Sequence, residues 1–252
     1  MNLIQGSIHL DLTGFIVMLE SLDRSLFLGH YIGGHAGGGW GDKKWSDFFD
    51  PINTSDRTSG PDASYHVSGP LGGGQIGYNL QYGWTVFGIE ADASAADIKG
   101  RGNNDPFTIL GPTGSGCLDL NGACTTKIDA LGTVTARLGV AVDRALFYAK
   151  GGAAWVHEKH TVRAFDLSAP NDPAFNFTST TSQTRWGWTA GAGIEYGLSA
   201  NWSAKIEYNY LDFGKDEVTF TLPPPNEHFG VGGTLRQTLQ VVKAGVNYRF
   251  GY

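Results

Sequence analysis

The sequence predicts an all-β protein: an eight-stranded antiparallel up-and-down transmembrane β-barrel. Three observations carry that expectation. Apolar residues alternate with polar ones or glycine at period two in segment after segment, the spacing that sends successive side chains to opposite faces of a strand. Long polar stretches and tight turns separate these segments in strict succession. The aromatic residues gather at segment ends.

Composition agrees and narrows the class. The 252 residues suffice for one large β domain or two ordinary ones. Glycine occupies 37 positions, about twice its usual share of about 7%. Charged residues make up only 17%, and the net charge of −6 leaves no basic footprint, so no nucleic-acid partner is expected. The mean hydropathy is −0.18, and no apolar run is long enough for a transmembrane helix. A membrane barrel is still admitted, because alternation halves the mean hydropathy of every strand.

Residues 1–24 stand apart. A signal peptide needs a basic start, an apolar run and a small-residue cleavage site. Here Phe15 to Leu19 is apolar, but no cation precedes it, and Glu20 and Asp23 follow. This segment is expected to be an atypical N-terminus in which the export signal is missing or replaced, with the barrel domain spanning 25–252.

The first strand opens at Tyr31 with Ile32, Ala36 and Trp40 on one face, and a polar stretch from Gly41 to Ser68 follows. Ile76, Tyr78, Leu80 and Tyr82 then alternate with Gln75, Gly77, Asn79 and Gln81, turn at Gly83-Trp84, and continue as Phe87, Ile89 and Ala91 against Gly88, Glu90 and Asp92. That is a hairpin. After a polar stretch from Lys99 to Thr126, Val134 to Val142 turns at Asp143-Arg144 into Phe147, Ala149, Ala153 and Trp155. A further stretch, Ala164 to Gln183, leads to Trp186 through Tyr196, a turn at Ser199 to Asn201, and Trp202 through Tyr210. The loop from Pro223 to Gly233 precedes the last strand, where Val242, Ala244, Val246, Tyr248, Phe250 and Tyr252 alternate with Lys243, Gly245, Asn247, Arg249 and Gly251. Four long connections alternating with three short ones make eight strands, with both chain ends on the short-turn side. Such asymmetry is the pattern of outer-membrane barrels.

The last strand, running back from Phe250 and Tyr252, resembles the closing strand of Gram-negative outer-membrane β-barrels. The opening Tyr31-Ile32-Gly33-Gly34-His35-Ala36-Gly37-Gly38-Gly39-Trp40 is similar to that of the small barrels of the porin family described as immunogenic or haemin-binding surface proteins. With the hairpins between, the resemblance covers roughly Ser25 to Tyr252. It implies a cell outer membrane location, with the lipid bilayer and lipopolysaccharide as surroundings. It also implies that the barrel assembly machinery reads the C-terminal strand. The function implied is structural: a surface protein whose long extracellular loops serve adhesion, host contact or small-ligand contact, with at most a narrow pore. Haemin binders in the family make His66, His157, His160 and His228 candidate haemin contacts, although His157 and His160, three apart, fall on opposite faces of a strand. No cofactor is otherwise expected.

Two further patterns follow from the strand assignment. Trp40, Trp155, Trp186 and Trp188 fall toward the long-loop ends and Tyr82, Tyr196, Trp202, Phe250 and Tyr252 toward the short-turn ends, giving two membrane-interface girdles. The opposite face carries Glu90, Asp92, Glu195 and Glu207 with Arg137, Lys150, Lys205, Lys243 and Arg249. An eight-stranded barrel is only wide enough to be filled by its own side chains, so these charges are expected to pair inside it.

Other motifs carry less. Gly72 to Gly77 fits the G-x-G-x-x-G spacing, but a strand follows it instead of the helix that a phosphate site needs. The inward carboxylates lack any nucleophile nearby in sequence, so no enzyme is expected. Cys117 and Cys124, with no second Cys or His pair for a zinc site, are expected to form a small disulfide in an oxidising compartment. The alternative architecture is a soluble lipocalin-like ligand-binding barrel with the two faces reversed. Refolding from urea distinguishes them: a band whose gel mobility changes on boiling is expected from micelles and not from plain buffer, and a folded monomer in buffer alone would reverse the face assignment.

Overall fold

The computed structural model of the protein describes residues 26–49, 63–102, 124–164, 177–221 and 230–250. Among the described residues eight strands follow one another without a helix: β1 (Gly29–Phe49), β2 (Ala63–Tyr82), β3 (Thr85–Gly102), β4 (Cys124–Val142), β5 (Ala145–Ala164), β6 (Phe177–Gly197), β7 (Trp202–Thr221) and β8 (Gly230–Phe250). Each pairs antiparallel with its neighbour in sequence, and β1 pairs with β8 from His30↔Phe250 upward to close the ring. The short turns follow from their residues. Gly83 and Asp143 both hold positive φ, 56° and 53°, a region open to glycine and tolerated by Asp.

The strands are longer than the alternation of outward apolar residues suggests. β1 continues to Phe49 and β2 begins at Ala63, so much of the stretch from Gly41 to Ser68 is paired strand, with Asp42 opposite His66. The same is true of the outer ends of β4, β6 and β8. The cause is an inversion of the two faces. Nearer the short turns, Ile32, Ile76, Ile89, Leu138, Ile194, Ile206 and Val246 point outward and are exposed. Nearer the long connections, Val67, Leu71, Ile98, Ile128, Leu131, Val156, Leu211, Leu235 and Leu239 point inward and form one buried cluster. Each such side chain, fully removed from water, contributes about 1.5–3 kcal/mol. Outside this cluster the wall carries Asp42, Lys44, His66, Lys99, Lys127 and Lys159.

Among the described residues the register shifts at four places toward this end, between Ser46 and Phe49 in β1, between Ala95 and Ile98 in β3, and in β4 and β7. Asp129 is the extra residue of β4 opposite β5, where the register shifts between Ile128 and Ala130. In β7 the shift lies between Asp212 and Lys215. There Gly214 takes φ 64° and donates its backbone N–H to Asp212 Oδ1 at 2.8 Å, as a glycine bulge requires. Pairing of β6 with β7 stops at Trp188↔Asp212, just below this bulge.

Glycines divide by face. A Cβ on inward Gly73 would lie 1.9 Å from the backbone oxygen of Ala93, whereas one on outward Gly34 would meet nothing nearer than 3.7 Å. Gly73→Ala is expected to destabilise the barrel by about 1–3 kcal/mol through overpacking, and Gly34→Ala to be neutral or to stabilise it by about 0.4–1 kcal/mol. Urea midpoints in micelles check both; equal midpoints would refute the steric distinction.

Candidate functional site: a filled lumen under an extended rim

The interior is stacked in layers along the barrel axis. At the short-turn end, Phe27, Val86, Ala141, Leu146 and Tyr148 close the mouth. Phe27 precedes β1 and is held there by hydrogen bonds of its N–H to Gln81 Oε1 at 2.9 Å and of Asn79 Nδ2 to its carbonyl at 3.0 Å.

Above them lies a charged layer in which β1, β3, β4, β5, β7 and β8 place charged or hydroxyl side chains at Glu90 or Glu207, β6 adds Glu195 beside them, and β2 adds Asn79, which accepts from Arg137 Nε at 2.8 Å. Glu90 accepts from Lys150 Nζ at 2.8 Å, Lys205 Nζ at 2.9 Å and Tyr31 Oη at 2.8 Å. Glu207 accepts from Lys150 at 3.1 Å, Tyr148 Oη at 2.9 Å and Asn209 Nδ2 at 2.7 Å, with Lys243 Nζ at 3.6 Å. Lys243 also reaches Asp92 at 2.9 Å. Glu195 faces Arg137 at 3.2 Å and Arg249 at 3.5 Å, and accepts from Ser203 Oγ at 2.5 Å. The Arg137 guanidinium lies between the rings of Tyr31 and Tyr148, 4.8 and 5.2 Å from their centres, a cation–π arrangement in a site shut off from water. All nine charged residues singled out in the sequence are therefore buried in one assembly. Tyr31 and Tyr148 belong to it too and read in the sequence only as aromatics on the inward phase.

Next comes the apolar cluster of Leu71, Ile98, Leu131 and their neighbours, and beyond it a second charged group that the sequence reading missed. Lys43 and Glu158, both fully buried, pair at 2.5 Å; His160 Nε2 lies 3.1 Å and Arg185 3.7 Å from the same carboxylate. These residues stand beyond the band of Trp40, Trp155 and Trp186. Burial by itself would raise the Glu158 pKa, but Lys43 and His160 outweigh it and hold the carboxyl well below its usual range. Arg185 donates to the carbonyls of Phe213 and Gly214, each at 3.2 Å, and of Leu235 at 3.1 Å. It thus satisfies carbonyls at the bulge where β6 and β7 part. The signal for this level was available: Tyr65 and Val67 alternate with Ser64, His66 and Ser68 in a stretch read as loop.

The remaining predicted residues are distributed as follows. Trp40, Trp186 and Trp188 are exposed on the outer wall, Trp155 is half-buried over Gly132, and Tyr82, Tyr196, Trp202 and Phe250 are exposed near the short turns. Trp84 joins the lower set, and Trp202, Tyr248 and Phe250 make edge-on contacts at 5.1 and 5.3 Å. Among the histidines, His66 is exposed on β2 beside Asp42, His157 lies on the outer wall of β5, and His160 points inward. The structure does not bring these three together. Cys117, His228 and Tyr252 lie outside the described residues, as does the side chain of Cys124. On the rim, a hydrogen bond from Lys99 holds the exposed Asp97 below the ordinary carboxylate range.

A closed eight-stranded ring with a charged interior beneath an apolar outer belt is the construction of an integral outer-membrane barrel. Residues 12–250 match the family model described as the outer membrane protein beta-barrel domain, and the chain belongs to that family. It is 31% identical over 243 residues to the 31 kDa outer-membrane immunogenic protein of Brucella melitensis biotype 1, and equally to that of Brucella suis biovar 1. In both cases the match covers 91% of this chain and 86% of the relative. Among solved structures, the outer membrane protein OprG from Pseudomonas aeruginosa matches with a TM-score of 0.57 and 14% identity, over 89% of this chain and 97% of OprG, which is a likeness of fold. The protein is thus an outer-membrane β-barrel protein of the cell surface, its apolar belt in contact with lipid. The lipocalin-like alternative fails, because its reversed faces occur only beyond the upper aromatic band.

Glu90 faces Lys150, Lys205 and Arg137 in a dry interior, so Glu90→Ala is expected to destabilise the barrel by about 3–5 kcal/mol. The urea midpoint in micelles measures this, and Lys150→Met added to Glu90→Ala is expected to recover part of the loss. An unaltered midpoint in the single variant would show the charges to be independent of one another.

Proposed function

We propose that the protein is a non-conducting display barrel: a plugged, closed wall that raises residues 50–62, 103–123, 165–176 and 222–229 beyond the membrane for adhesion or ligand contact. The observation that carries this reading is the filled interior. An apolar layer seals the lumen between two charged layers, and each layer draws side chains from opposite walls. Among the described residues the apolar cluster separates the two charged layers, and the carboxylates of those layers are held by cations instead of facing a substrate. The rim above is built like the barrel of a water-soluble protein, greasy inside and charged outside, which suits a stalk standing in water. The aromatic bands mark the two membrane interfaces, and the closing strand β8 carries the alternation that the assembly machinery of such barrels would engage. Among the described residues His66, His157 and His160 share no common face for haemin, so loop contacts with host or small ligands are favoured over haem capture.

Two measurements test the reading. In planar bilayers the refolded protein is expected to leave the current at the lipid background, and stable stepwise conductance would refute a sealed lumen. On intact cells, with Cys117 and Cys124 changed to Ser, Ser64→Cys is expected to react with a membrane-impermeant maleimide and Ala200→Cys to be protected; the reverse pattern would invert the topology.

A further inference from the structure

We infer that the lipid-facing wall of β4 to β8 holds a site for one acyl chain of a glycerophospholipid from the periplasmic leaflet, with Arg144 at its foot to receive the phosphate. A groove of about 850 Å³ lies on this wall near the short turns. Its form follows from the register. Leu138, Ala149, Ala192, Tyr208 and Val242 stand opposite one another across five consecutive strands. The two alanines form a floor two strands wide, Leu138 and Tyr208 form its sides, and Phe147 and Ile194 in the next row narrow the lower end. The row above, Ala136, Gly151 and Ala190, is also small, so the trough continues along the strands toward the Trp188–Tyr210 pair, whose rings are 5.6 Å apart.

The barrel itself does not require these small residues. A Cβ on Gly151 would meet only the Thr189 carbonyl oxygen at 3.5 Å, in contrast to the inward glycines, where a Cβ collides with backbone. What the small side chains do is leave a cleft framed by Leu138, Phe147, Ile194 and Tyr208. The face is continuous with the belt that contacts lipid, so hydrocarbon is the medium that fills it. At its lower end Trp84 lines the groove and accepts the Ala141 N–H at 2.7 Å on its carbonyl, and the β4–β5 turn at the same end of the barrel carries exposed Arg144, whose carbonyl accepts the Gly197 N–H at 2.8 Å. A guanidinium at the headgroup level pairs with phosphate, and an indole there is favoured at the interface. Because the short turns face the periplasm, the leaflet is the phospholipid one.

The test is native mass spectrometry of the protein refolded in detergent and exchanged with dioleoyl phosphatidylglycerol or dioleoyl phosphatidylcholine. The wild type is expected to retain one lipid, with phosphatidylglycerol preferred. Ala149→Leu with Ala192→Leu, which fills the trough, is expected to lose it, while Ala36→Leu with Ala91→Leu, adding the same bulk outside the groove, keeps it. Arg144→Ala is expected to keep a lipid but lose the headgroup preference. Heat-dependent gel mobility confirms that each variant is folded. Retention by the filled variant, equal loss in the control pair, or a dimer mass that disappears when the trough is filled would each overturn the assignment, the last by making a second copy the occupant.

Discussion

Backbone hydrogen bonding inside hydrocarbon is the constraint from which the rest of this structure follows. No water is present there to take an unpaired N–H or C=O, so the sheet has to close, and the pairing of β1 with β8 completes it. Eight strands make a narrow ring. Everything inside has to fit a space with room for little more than the side chains themselves. Inward glycines such as Gly33, Gly37 and Gly73 are consequences of that crowding, since a Cβ at each would strike a neighbouring strand or the side chains already packed there. At other inward glycines the room is taken by side chains of the charged layer, Tyr31 at Gly77, Asn79 and Arg137 at Gly88, and Tyr148 at Gly193.

The charged layer and the apolar layer solve different problems. Within the membrane the outer face has to be apolar, so polar residues of the alternation are turned inward, and they are stable only when each carboxylate meets cations and hydroxyls at close range. Beyond the upper aromatic band the outer face meets water and the inner face becomes apolar. Strand β8 shows the exchange within one element: Leu235, Leu239 and Val241 point inward, and from Val242 onward Ala244, Val246 and Phe250 point outward. The adjacent Val241 and Val242 mark where one solvent replaces the other. β7 does the same at Tyr210 and Leu211.

The extended rim carries a cost at β6 and β7, which part above Trp188 and Asp212. Arg185 compensates by bonding carbonyls of β7 and β8 while facing Glu158, which Lys43 holds from the far side of the ring. One buried carboxylate thereby links β1, β5 and β6, and through Arg185 also β7 and β8. A rim organised in this way supplies a fixed base for the connections above it, the property a display function needs.

The strand count, the order of turns, the outward face and the nine lumen charges were all legible in the sequence, because period-two alternation is local and a bilayer makes it uniform in sign for the length of each crossing. Residues such as Glu90, Lys205 and Arg249 could be assigned to the interior from their phase alone. The rim was not legible in the same way. There the alternation persists with opposite polarity, so Tyr65, Val67 and Lys43 fall in a stretch that reads as a polar connection, and Glu158, Arg185, Leu235 and Leu239 fall outside the segments that read as strand. Which carboxylate meets which cation also required the ring: Lys205 and Glu90 are far apart in the chain and meet only because closure places β3 and β7 on facing walls. Sequence by itself determined which side of each membrane crossing faces lipid, since that depends on one residue and its immediate neighbours. The tertiary structure alone decided the partners inside and the height at which the faces exchange, because both depend on how the strands are staggered around a closed barrel.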